Sequence, residues 1–189
     1  MVIRQRFQNQ FQSLPVIGMR IALVLGLVSG IGNAAYAADR YDLAARITYS
    51  IAKFSTWPEG VEQDGAFLVG VFGGNSARAF SAVDGGKLKT GQIRVVNLDS
   101  SSPAGEIRKC AIVFTTETAD LKRVTKATTG SPVMLVHLGM DRDAGANACV
   151  SLFEASNRMQ FDVYLALLRK RNVQMDSGVL KLAATVYRR

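Results

Sequence analysis

Between Tyr41 and Phe54 the apolar residues Leu43, Ile47, Ile51 and Phe54 recur at threes and fours, with Asp42, Arg46, Ser50 and Lys53 between them. That period predicts an amphipathic helix with those four apolar residues toward a core. Trp57-Pro58 ends it, because the residue before a proline is pushed out of helical geometry, and Gly60 follows. The pattern then changes to short continuous apolar runs. Phe67–Phe72, Ala111–Thr115 and Val133–Leu138 each read as a buried strand, which favours a parallel sheet, and Ile93–Leu98, which includes Arg94 and Asn97, reads as a further strand.

The polar segments between these runs supply helices and turns. Asn75 or Ser76 caps a short helix through Val83, closed by Gly85-Gly86, and the serine-rich stretch Asp99–Glu106 with Pro103 reads as a connecting loop. Thr116 or Thr118 caps a helix that carries Leu121, Val124 and Thr128 on one face and stops at Gly130. Val150–Ala155 and Met159–Leu165 flank Ser156-Asn157, and Met159, Phe161, Val163 and Leu165 alternate with other residues, the signature of an antiparallel hairpin. A short helix with Leu167 and Leu168 then runs into Arg169, Lys170 and Arg171, with Asn172 as a left-handed cap. A last helix starts at Ser177 and aligns Val179, Leu182, Ala183 and Val186. The expected fold class is α/β: a mostly parallel sheet flanked by helices, with an antiparallel hairpin at the edge.

The N-terminus changes where this domain works. Ile21–Ile31 is apolar, uncharged and preceded by Arg4, Arg6 and Arg20, the charge order of a secretory signal. The run falls short of the about 20 apolar residues a membrane span needs. Ala35-Tyr36-Ala37 is the small-x-small pattern a signal peptidase accepts, so cleavage is expected between Ala37 and Ala38. Residues 1–37 are read as a cleaved signal peptide and residues 38–189 as one domain; starts at Met1 and Met19 give the same mature chain.

Charge adds little. The formal net charge is +8, but the leader holds three arginines and no acids, leaving 20 basic against 15 acidic residues in the mature part. That excess is too small and too dispersed for nucleic acid. A domain of about 150 residues buries close to 70% of its unfolded surface, so it needs no metal to fold.

Cys110 and Cys149 lie in the exported part, where a disulfide persists. Joining them closes a loop of about 40 residues, worth roughly 4 kcal/mol in the chain-entropy model. Each stands just before a predicted strand, however, and non-neighbouring strands lie about 10 Å apart, beyond disulfide reach. Pairing and two buried thiols both stay open.

Candidate chemistry is sparse. His137 sits within an apolar strand with no sequence partner, and reads as structural. No HExxH, CxxC, GxSxG or phosphate-loop motif occurs, and no cofactor or metal is expected. Gly73, Gly74, Asn75 and Ser76 lie between a strand and a helix, where free backbone N–H groups bind anions, but they read as a tight turn first and a ligand site second. Asp141 and Asp143 read as solvated loop residues. Trp57 reads as a core plug first and a partner anchor second, and Arg169-Lys170-Arg171 as a solvated helix end.

The stretch Ala45-Arg46-Ile47-Thr48-Tyr49-Ser50-Ile51-Ala52-Lys53-Phe54-Ser55-Thr56-Trp57-Pro58 resembles the opening helix of the YfiR family, with Tyr49, Lys53, Phe54, Trp57 and Pro58 in register. Cys110–Phe114, Met159–Val163 and Leu180–Ala183 are similar to further stretches of that family. Departures fall at Ser50, Tyr164, His137-Leu138, Ala148-Cys149 and Asn172, where family members often carry other residues. The resemblance implies a non-enzymatic periplasmic regulator that binds the periplasmic region of an inner-membrane diguanylate cyclase and lowers cyclic di-GMP. It also implies an outer-membrane lipoprotein that relieves the inhibition. Other relatives accompany sensor kinases, and a homodimer stays open. Tyr49, Lys53 and Trp57 are the partner-binding residues expected from the motif. The alternative is a small-ligand sensor using the Gly73–Ser76 turn.

Overall fold

The computed structural model describes residues 40–89, 91–140, 142 and 145–188. The expected cleavage site at Ala37 and Ala38 and the Asp141 and Asp143 pair lie outside them. Helix α1 spans 40–53 and runs into a two-residue strand, β1 (Ser55–Thr56). The apolar runs follow as β2 (Ala66–Phe72), β3 (Gln92–Leu98), β4 (Ile112–Thr115) and β5 (Met134–Leu138). Between them lie α2 (Gly74–Phe80), α3 (Ala104–Lys109) and α4 (Thr118–Ala127). The chain continues through β6 (Val150–Ala155), β7 (Arg158–Tyr164), α5 (Leu165–Lys170), β8 (Gln174–Met175), α6 (Ser177–Leu180) and β9 (Thr185–Tyr187).

Among the described residues, seven strands form one sheet in the order β3-β2-β4-β5-β6-β7-β9. Every neighbouring pair is parallel except β6 with β7, whose turn holds Ser156 and Asn157 at φ 52° and 60°. Positive φ at both central residues matches the right-handed twist of a two-residue hairpin. The sheet is thus α/β and mostly parallel, as its continuous apolar runs dictate: Ile112–Thr115 and Met134–Leu138 are buried at every position. β1 and β8 form a separate antiparallel pair, Ser55 opposite Met175.

Four local expectations are corrected. The stretch Asp99–Glu106 is not all loop, because α3 starts at Ala104 behind Pro103, a residue pre-set for a helix entrance. Helices α2 and α4 have Gly73 and Glu117 at their N-caps, without side-chain caps from Asn75, Ser76, Thr116 or Thr118. The last helix is one turn long, capped by Asp176 rather than Ser177, and Thr185-Val186-Tyr187 instead extends the sheet beside β7. Those β-branched and aromatic residues suit a pleated surface, and β7 offers an unpaired backbone edge.

The fourth correction concerns α1. Its buried face is Ala44, Ala45, Thr48, Ile51 and Ala52, whereas Leu43 is 44% and Phe54 49% exposed. Small residues let a helix approach its neighbours closely, so the expected apolar stripe is only half covered.

Candidate functional site

Helical spacing carries Tyr49 and Lys53 along one side of α1 toward Trp57, just past its end. The Tyr49 hydroxyl donates to the Lys87 carbonyl at 3.0 Å, and its ring lies where a Cβ on Gly86 would intrude, 2.8 Å away. The Lys53 ammonium stands 5.5 Å from the Tyr49 ring centroid, a cation–π distance. Trp57 Nε1 donates to the Ala111 carbonyl at 3.1 Å, and its ring meets Phe67 at a 5.4 Å centroid separation and 53° tilt. The indole therefore both plugs the core at one edge and faces outward at the other. There it forms a groove of about 330 Å³ with Lys53, Glu59, Glu62, Phe67 and Lys89. The three motif residues thus lie on one continuous surface, with Lys53 as the hinge between the Tyr49 ring and the groove.

The Gly73–Ser76 turn sits at the carboxyl end of β2. Gly73 has φ 91°, a conformation L side chains rarely adopt, and Ser76 is buried. Helix α2 has seven residues, so the geometry accounts for a tight strand-to-helix turn.

Register brings together polar residues that lie far apart in sequence. Thr115, His137, Ser151 and Asp162 occupy facing positions on β4, β5, β6 and β7, and all four are buried. Phe114 meets Phe80 of α2 at 4.6 Å, so the row lies on the sheet face opposite α2, because side chains alternate along a strand. Thr115 Oγ1 and His137 Nδ1 share a hydrogen bond at 2.9 Å. Burial disfavours the imidazolium and holds the His137 pKa below its ordinary value. Asp162 is engaged by Arg142, which also reaches Thr185 of β9.

Both cysteines are buried free thiols. Cys110 precedes β4 and Cys149 precedes β6, and β5 runs between those strands, which sets them about two strand spacings apart, near 10 Å. That exceeds disulfide reach. Burial pushes the Cys110 thiol up to about 11 and raises Cys149 as well, so neither is a thiolate nucleophile.

The basic run is split by the fold. Arg169 and Lys170 are exposed, but Arg171 is 9% exposed and its Nη1 donates to the Thr128 carbonyl, Thr128 Oγ1 and the Val133 carbonyl. It ties the end of α4 to the approach of β5, a role for which the sequence carries no signal beyond a cation in a helix end.

Among the described residues no helix is long and apolar enough to cross a membrane. A search of curated proteins finds no match to the chain. A family model described as YfiR/HmsC-like matches residues 41–184, from the start of α1 to the residue before β9, so the chain belongs to the YfiR/HmsC-like family.

Proposed function

We propose that this protein is a non-enzymatic regulator, exported to the periplasm, that binds the extracytoplasmic region of an inner-membrane diguanylate cyclase and holds it inactive. Family membership over residues 41–184 carries this reading and supports a periplasmic regulator in general. The Tyr49, Lys53 and Trp57 surface supports a binding role in particular. It offers an aromatic wall, an exposed cation and a shallow groove, the features of an anchor site for a partner side chain. Inhibition across the membrane then needs only that the bound state of the cyclase favour its inactive arrangement.

Deleting the gene and measuring cyclic di-GMP tests the proposal. Messenger should rise in the deletion and fall again on complementation with the intact chain. Lys53→Glu should fail to complement while remaining folded, since the Lys53 side chain is exposed. Unchanged messenger levels, together with no membrane protein recovered by periplasmic crosslinking, would sink the reading.

A further inference from the structure

The half-covered stripe of α1 leads to a second surface. Leu43, Ile47, Ser50 and Phe54 fall within about 60° around the helix, and Arg46 and Lys53 flank them on one side. Across from α1, Phe161 of β7 and Val179 and Leu182 at the chain's end complete an apolar groove of about 230 Å³ with Ile47, Ile51 and Phe54. Phe54 and Leu182 protrude from the groove and Leu43 from the same side of α1, at 49%, 75% and 44% exposed. Lys181 directly precedes Leu182 in the chain and is itself exposed. Among the described residues none of Arg46, Lys53 and Lys181 forms an ion pair; the carboxylate nearest on α1 is Asp42, beside Leu43.

We infer that this face docks on an anionic lipid surface. Protruding apolar side chains enter the boundary between headgroups and acyl chains, and cations beside them meet the negative headgroups. The balance of the flanking charge selects the occupant: Arg46 and Lys53 outnumber Asp42 on their side of α1, and with Lys181 next to Leu182 they are attracted to acidic lipid and gain little from a neutral bilayer. A contiguous exposed apolar stripe of this kind also marks an interaction surface rather than scattered exposure. The Trp57 groove begins at the same Lys53, so a domain resting on lipid through α1 holds its partner-binding surface next to the membrane plane.

The test is co-sedimentation of the exported, purified protein with phosphatidylethanolamine vesicles that contain phosphatidylglycerol, against vesicles of phosphatidylcholine. Binding is expected to the acidic vesicles only and should fall as salt is raised. Arg46→Gln and Lys181→Gln should each weaken it about fivefold, and Leu182→Ser should weaken it without altering the circular dichroism spectrum. Three results overturn the inference: no sedimentation with acidic vesicles, equal binding to both vesicle types, or binding indifferent to salt. A stable dimer that Leu182→Ser dissociates, without vesicle binding, assigns the face to a second copy and likewise overturns it. The vesicles contain no protein, so this outcome is independent of whether a cyclase is the partner.

Discussion

Asp162, fully buried on β7, accepts two hydrogen bonds from the Arg142 guanidinium, at 2.6 Å from Nε and 2.9 Å from Nη2. Arg142 comes from the connection between β5 and β6 and also reaches Thr185, so one side chain ties that connection to the last two strands of the sheet. Its pKa is raised, chiefly by the Asp162 hydrogen bonds. The guanidinium is partly exposed while the carboxylate is not, and this asymmetry decides what loss of either partner does.

Removing Arg142 strands a buried carboxylate, whereas removing both charges does not. Arg142→Ala should therefore lower the thermal midpoint, and Arg142→Ala combined with Asp162→Asn should recover part of the loss. Differential scanning calorimetry of the two single variants and the double variant measures the coupling. Additive effects would contradict this account.

His137 gives the fold a pH dependence. Its folded pKa is depressed by burial, so between the folded and unfolded values the unfolded chain binds more protons, and stability rises with pH there. The contribution is whole above about 6.5, the ordinary histidine value, and is lost as pH falls through the folded value. Urea midpoints measured in steps from neutral to mildly acid pH should decline more steeply for the native chain than for His137→Gln. Parallel curves would refute the assignment.

The two cysteines should behave as protected thiols. Iodoacetamide should label neither in the native protein and both after denaturation without reductant, counted by mass spectrometry. A shift showing no label in the denatured, unreduced chain would mean that they pair.

Arg171→Met keeps the bulk of the stem and removes the donors to Thr128 and Val133. Stripping this donor from the Val133 carbonyl, while the Thr128 carbonyl keeps the Ser131 N–H at 3.0 Å, should cost about 1–3 kcal/mol, read from chemical denaturation. Arg169→Met, at an exposed position of the same run, should change stability by less than about 0.5 kcal/mol.

Local chemistry made much of the fold legible. Continuous apolar runs between glycines became the parallel strands, because strands covered on both faces need no polar alternation. Asn172 announced its positive φ, since asparagine tolerates that region better than most residues do, and Ser156-Asn157 announced the hairpin turn. The motif from Tyr49 to Trp57 was readable because its members lie within one helix and the turn after it. Other features carried no such mark. Leu43 and Phe54 have the period of a core face, yet periodicity reports only that residues share a side, not whether anything covers that side. Arg171 has the appearance of a solvated helix end, and the groups it satisfies lie 38 and 43 residues away. Thr185-Val186-Tyr187 continues a helical spacing and becomes a strand because β7 presents a free edge.

By itself, then, the sequence determined the central strands, the α/β class and the position of the YfiR-like motif, all consequences of spacing over a few residues. Strand order and register were decided only in three dimensions. They set β5 between the strands that follow Cys110 and Cys149, and aligned Thr115, His137, Ser151 and Asp162 in one buried row. They also left one flank of α1 open beside Leu182. Each depends on contacts between segments far apart along the chain, whose geometry is fixed by how the whole sheet packs rather than by any local pattern.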